Sequence, residues 1–263
     1  MKVSQIVAPE IIKTPFEQVN AMTNGGFSTK KILEVAGPRS VGKTTLVMQF
    51  CGGAQKQGHK IYWADSERSY DPTYATTLGM DNDAVEYDRQ LTAEQLFVNL
   101  EEHAAKHKNW IYVIDAIGSL LPREELEKGA EGRSIGIQAR IVGSFCRRIV
   151  PLLDEKNHLL IVINHTFIDP STTALKSSGG MKLEFAKSQA LWLRPAYGKA
   201  PKRSTDGQVT VKFVECELKK DKVSGNEGRK EILELVLHQG FVCEAVSLPP
   251  KKKPGRPAKT HIE

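Results

Sequence analysis

The residues Gly37, Pro38, Arg39, Ser40, Val41, Gly42, Lys43 and Thr44 satisfy the pattern G-x-x-x-x-G-K-[ST]. That spacing suits phosphate. The glycines let the chain turn tightly, and the backbone N–H groups of the turn and of a following helix converge on phosphate oxygens. Lys43 would reach the β and γ phosphates of ATP, and the Thr44 hydroxyl would ligate Mg2+, with Thr45 beside it in the first helical turn. A magnesium site also needs an acid at the end of a neighbouring strand, and the run WIYVID supplies Asp115 after four apolar residues, a Walker B pattern. Hydrolysis needs a further group that orients or deprotonates water. Asp65 and Glu67, which end and follow the run KIYWAD, are both candidates, and spacing alone does not choose between them.

The surrounding elements are those such a site requires. ILEVA runs into the glycine-rich turn, and TTLVMQFCGGAQKQ leaves it as a helix. Between Ile32 and Asn164, the strand-like runs ILEVA, KIYWAD, VEYD, WIYVID and LLIVIN alternate with helical patterns, which predicts an α/β fold with a mainly parallel sheet flanked by helices. Thr92 precedes AEQLFVNLEEHAAKHK as an N-cap, and Ile137, Ile141, Phe145, Ile149 and Leu153 form an apolar stripe in a helix that Pro151 is expected to kink. ALWLR, QVTVKFVECEL and EILELVL read as later strands, and the hairpin-sized loops between them predict an antiparallel edge.

Composition narrows the classes. The chain has 263 residues, 40% hydrophobic and 26% charged, enough for one sizeable core. No apolar run approaches the roughly 20 residues of a spanning helix. The start MKVSQIVAPEIIK lacks an apolar signal core and carries Glu10, so a cytoplasmic protein is expected. Cys51, Cys146, Cys216 and Cys243 are widely spaced and show neither a zinc site nor a disulfide framework. The net charge is +6, but the last sixteen residues, LPPKKKPGRPAKTHIE, hold five basic and one acidic side chain, so the polyanion signal is concentrated in that tail.

The segments GPRSVGKTTL, DSERSYDPTYATTLGMD, YVIDAIGSLLPREEL, GIQAR, LLIVINHT and SSGGMKLEFAKS, taken in order, resemble the core of RecA-type recombinases over about residues 20 to 243. In character they are closest to short phage-encoded members, which would place the protein in a bacterial host cell. The resemblance implies a RecA-like P-loop ATPase that is stimulated by DNA. It would form a helical homo-oligomeric filament on single-stranded DNA, with ATP between protomers, and exchange strands with homologous double-stranded DNA, helped by single-strand-binding or loader proteins. An accessory DNA-binding ATPase without strand exchange is the alternative.

The same resemblance assigns roles. Glu67 matches the acid that activates water, and Asp71 and Tyr74 match residues that contact adenine. His165 stands where bacterial relatives have a Gln that senses the γ-phosphate. Lys220 and Lys222 resemble a pair that reaches the neighbouring protomer's ATP. Residues 122 to 133 and 166 to 182 resemble the two DNA-binding loops, with Arg133, Lys176 and Lys182 as phosphate partners and backbone N–H groups near Gly179 and Gly180 as further donors.

The expected organisation is a short segment at 1–30 that contacts a neighbouring protomer, an ATPase core at 31–246, and a disordered basic tail at 247–263 in place of a compact carboxyl-terminal domain. KKKPGRPAK in that tail resembles an AT-hook, with Arg256 in the minor groove and Lys251, Lys252 and Lys253 on phosphates.

Overall fold

A computed structural model describes residues 7–128, 136–169 and 173–243. The chain enters through β1 (Ile11–Ile12), α1 (Glu17–Thr23) and β2 (Phe27–Ser28), where β1 and β2 pair antiparallel. Ile12, Phe16, Val19, Met22 and Phe27 from this segment are buried in the same cluster as the helix that follows the glycine-rich turn.

The main body then alternates as its hydrophobic pattern requires. β3 (Lys31–Gly37) leads through the turn into α2 (Lys43–Gln55), followed by β4 (Lys60–Asp65), α3 (Pro72–Thr77), β5 (Val85–Asp88), α4 (Ala93–Lys106) and β6 (Trp110–Asp115). Next come α5 (Arg123–Lys128), α6 (Ile137–Lys156), β7 (Leu159–Ile168), β8 (Leu175–Ser177), α7 (Gly180–Ala186) and β9 (Gln189–Pro195). The chain continues through β10 (Lys202–Arg203), β11 (Val209–Asp221), β12 (Lys230–Val236) and β13 (Gly240–Phe241).

One sheet carries the order β13-β12-β11-β9-β3-β7-β6-β4-β5, with β10 added to β11 and β8 to β7. From β9 to β5 every pairing is parallel, and from β9 outward through β11, β12 and β13 every pairing is antiparallel. The expected antiparallel edge is therefore present, but ALWLR does not belong to it on both sides. β9 runs parallel to β3, with Leu33 opposite Gln189 and Ala36 opposite Trp192, because α7 intervenes and returns the chain as a crossover. A second difference concerns β6: it is not the neighbour of β3, since β7 lies between them. Chain order thus reverses beside β3, where connections to the two sides leave a crevice at the carboxyl ends of the strands.

Period-two alternation sends the strands' side chains to two cores. Leu33, Val35, Ile111 and Val113 face the cluster built with α1 and α2, whereas Ile32, Tyr112 and Ile114 face the cluster built with α4 and α6. Thr92 caps α4 by accepting from the Gln95 N–H at 3.4 Å. The α6 stripe is buried at Ile137, Phe145, Ile149 and Leu153, and the helix runs unbroken through Pro151 to Asn157, a residue in the left-handed region that closes it. Among the described residues no helix is long and apolar enough to cross a membrane.

Candidate active site

The glycine-rich turn sits at the carboxyl end of β3 because two glycines there admit no side chain. A Cβ on Gly37 would lie 2.5 Å from the Leu193 carbonyl oxygen, and one on Gly42 would lie 2.9 Å from the Phe241 ring. Gly42 also holds φ at 99°, in the left-handed region, as the residue before α2. No side chain caps α2, so its first N–H groups face a cleft of about 830 Å³.

Lys43, Thr44, Thr45, Glu67, Asp115 and His165 all border this cleft, which gathers residues from four different strand ends. The Lys43 ammonium donates to the Pro38 carbonyl at 2.8 Å. Burial lowers its pKa, Arg39 adds to that effect, and Asp115 and Glu67 pull the other way. Thr44 Oγ1 donates to Asp115 Oδ2 at 2.9 Å. Burial pushes the Asp115 carboxyl up to about 7, with Glu67 and Asp65 contributing, against the Thr44 hydrogen bond and the charge of Lys43. A hydroxyl and a buried carboxylate form a hard-oxygen pair of the kind a magnesium ion takes, and a cation there would compensate the burial of Asp115.

The structure separates the two candidate acids. Asp65 is buried, and its Oδ2 accepts from the Tyr70 N–H at 2.9 Å and the Tyr87 hydroxyl at 3.0 Å. Glu67 instead faces the cleft, where its Oε1 accepts from Ser119 Oγ at 2.7 Å and pairs with His165 Nε2 at 2.8 Å. Burial raises the Glu67 pKa, but the hydrogen bonds from His165 and Ser119, with the charges of His165 and Lys43, outweigh it and leave the carboxyl below its ordinary value. With Nε2 directed to Glu67, His165 Nδ1 is buried without a hydrogen-bond partner.

Behind His165 lies a buried polar chain. The Asn164 side chain accepts from the His165 N–H at 2.9 Å and donates to Glu34 Oε1 at 2.9 Å and to the Ser178 carbonyl at 2.7 Å. The other Glu34 oxygen binds Lys187, whose ammonium also meets Glu184 on α7. A continuous set of hydrogen bonds thus joins the cleft to the end of the second expected loop.

The described part of that loop is built of paired strands and a helix start. Thr166, Phe167 and Ile168 of β7 pair with Ser177, Lys176 and Leu175 of β8, and Lys176 forms an ion pair with Asp169 at 2.5 Å. Gly179 and Gly180 both have positive φ, and side chains there would strike Leu183 and Ala139. Lys182 lays its stem over Gly143 of α6. Of the first expected loop, α5 covers Arg123–Lys128, and Arg133 lies outside the described residues, as do Lys251, Lys252, Lys253 and Arg256.

Other expected residues take distinct places. Tyr74 borders the cleft, its hydroxyl 3.2 Å from that of Thr45. Asp71 caps α3, accepting from the N–H groups of Thr73 and Tyr74, and is not part of the cleft lining. Lys220 and Lys222 donate to the carbonyls of Glu184 and Phe185 at the carboxyl end of α7, away from the lining of this chain's own cleft.

Sequence reasoning missed Ser119, Lys212, Leu235 and Leu237, all of which line the cleft. Lys212 carried a readable signal: it shares a strand face with Val214, Cys216 and Leu218, where a lysine is out of pattern.

Comparison with known proteins gives the family of the chain. The family described as RecA N-terminal domain matches residues 10–238. The chain belongs to the RecA family. It is 32% identical over 182 residues to Protein RecA of Acholeplasma laidlawii, covering 65% of this chain and 55% of the relative. It is 32% identical over 202 residues to Protein RecA of Rhodospirillum rubrum, with coverages of 74% and 54%, and 31% identical over 192 residues to that of Synechococcus elongatus, with 70% and 53%. The chain spans about half the length of the RecA proteins it matches.

Proposed function

We propose that this RecA-family chain is an ATP-dependent DNA recombinase. It assembles as a filament on single-stranded DNA, with ATP between protomers, and pairs that strand with homologous duplex. The observation that carries the reading is the Glu67–His165 pair at the cleft, backed by Asn164 bonded to Ser178. The acid and the loop that would hold DNA are thereby mechanically joined.

In this reading the amino end of α2, Lys43 and Arg39 hold the phosphate chain, while Tyr74 packs against the base. Thr44 and Asp115 would hold Mg2+, which when bound supplies positive charge against the phosphates. Glu67 keeps Oε1 on Ser119 and His165 and turns Oε2 to the attacking water, accepting its proton. His165 presents its Nε2 to the cleft, so that one nitrogen serves either Glu67 or a γ-phosphate oxygen. Transfer between the two moves Asn164, and with it Ser178 and the β7–β8 hairpin. In a filament Lys220 and Lys222 would leave the α7 carbonyls they hold in the single chain and reach a neighbouring protomer's nucleotide.

The deciding experiment measures ATP hydrolysis with and without single-stranded DNA, next to Lys43→Ala, together with strand exchange between homologous oligonucleotides. DNA-stimulated turnover that Lys43→Ala abolishes, accompanied by exchange, is the expected result. Turnover indifferent to DNA overturns the reading.

A further inference from the structure

The nucleotide cleft does not end at the glycine-rich turn. Arg39, Ser40 and Lys212 line it, and the same residues line a second cavity of about 340 Å³ that opens beyond them, floored by Phe213 and reached by Lys199. No Asp or Glu borders this second cavity. Among the described residues, none of Arg39, Lys199 and Lys212 has a carboxylate within ion-pair distance.

The contrast with the adjoining surface is direct. On the same strand, Glu215 and Glu217 are matched by Arg194 and Lys230, and Lys202 next to the cavity is matched by Glu234. Arg39, Lys199 and Lys212 around the cavity are left without such counter-charges among the described residues. Phe213 fixes one of them, with the Lys199 ammonium 5.2 Å from its ring centre. Like charges converging on an apolar-floored hollow repel one another, and an anion bound among them removes that repulsion. A cavity of this size is at the small end of ligand sites and too small for a macromolecular partner.

We propose that this cavity is a second anion site, accepting an oligophosphate of pyrophosphate size, separate from the nucleotide's own phosphate position. Its shared wall links it to the nucleotide, and only that linkage rests on the ATP-binding reading. Arg39 and Lys212 serve both spaces, whereas Lys199 and Phe213 serve the second alone.

The test is calorimetric titration of the full chain with inorganic pyrophosphate in magnesium-free buffer, with ADP at saturation. Pyrophosphate is expected to bind with ADP in place, and Lys199→Glu is expected to weaken it by about tenfold or more, as the loss of a charge-assisted contact requires, while leaving ADP affinity unchanged. Lys199 is exposed, so the variant folds as the parent does. The same titration on Lys43→Ala without ADP reads the second cavity whether or not the first binds nucleotide, and binding sensitive to Lys199 is expected there too. Pyrophosphate binding that ADP abolishes, or binding indifferent to Lys199→Glu, overturns the proposal. Failure of ADP itself to bind counts against the ATPase reading and not against this site.

Discussion

His165 Nε2 lies 2.8 Å from Glu67 Oε1, although the two stand 98 positions apart in sequence. Ser119 Oγ occupies the same carboxylate oxygen, so the acid is held in one orientation by two donors. Glu67→Gln is expected to keep nucleotide binding and to lower hydrolysis by about 10²- to 10⁴-fold, the usual contribution of a positioned base. Steady-state turnover beside ADP affinity checks it.

In the proposed reading the same pair carries its own part of the acid limb of hydrolysis, below that of Asp115. The donors hold the Glu67 carboxyl below its ordinary value, so the base form persists as pH falls into the carboxylate range. Removing a donor in Ser119→Ala raises that pKa, and hydrolysis is then expected to fall off at a higher pH. A profile of kcat against pH that does not move counts against Ser119 as a positioning residue.

Glu34 and Lys187 form an ion pair at 2.6 Å with both side chains almost wholly withdrawn from solvent. Lys187→Met leaves the Glu34 charge buried without its partner and is expected to destabilise the fold by about 3 to 5 kcal/mol. The double variant Glu34→Gln with Lys187→Met removes both charges and is expected to recover much of that loss in urea unfolding. If it recovers stability while DNA stimulation of hydrolysis stays impaired, the pair serves coupling as well as folding.

His158 gives the fold a dependence on pH. Its Nδ1 accepts the Trp110 N–H at 3.1 Å and its Nε2 donates to the Ala104 carbonyl at 3.0 Å, an arrangement only the neutral ring makes. Burial lowers its pKa; the Ala104 bond opposes this, and His103, His107 and Lys156 reinforce it. With the folded pKa below the unfolded value near 6.5, the unfolded chain takes up the proton first. Stability is therefore full above about pH 6.5 and declines as pH falls toward the folded pKa, by up to about 1.4 kcal/mol per pH unit. Denaturation between pH 5 and 8 is expected to show this slope, and His158→Gln is expected to flatten it.

What the sequence made legible was local. The glycine-rich turn, its flanking strand and helix, and the apolar run ending at Asp115 are contiguous, so spacing alone located them. Parts of the site assembled by long-range pairing were not legible. Lys212 and Leu235 stand opposite each other in the β11–β12 register and reach the cleft only because the antiparallel edge folds back toward β3. The antiparallel edge was legible from its short loops, but the parallel pairing of β9 with β3 was not, because loop length after a strand says nothing of the crossover before it, and α7 provides that crossover. Spacing alone leaves Asp65 and Glu67 open and the family resemblance favours Glu67; the physical reason, Tyr70 and Tyr87 occupying Asp65, is visible only in the folded chain.

Gln49, on the helix that begins with Lys43, donates to the Phe241 carbonyl at 2.9 Å and accepts the Phe241 N–H at 2.7 Å, so a side-chain amide takes the place of a strand partner. The Phe241 ring meanwhile lies where any side chain on Gly42 would have to go. The last described strand is therefore clamped to the glycine-rich turn and to the helix that leaves it. If the cleft takes nucleotide as proposed, solvent exchange at the Phe241 amide is expected to slow when it binds, a remote reading made without touching a residue of the cleft.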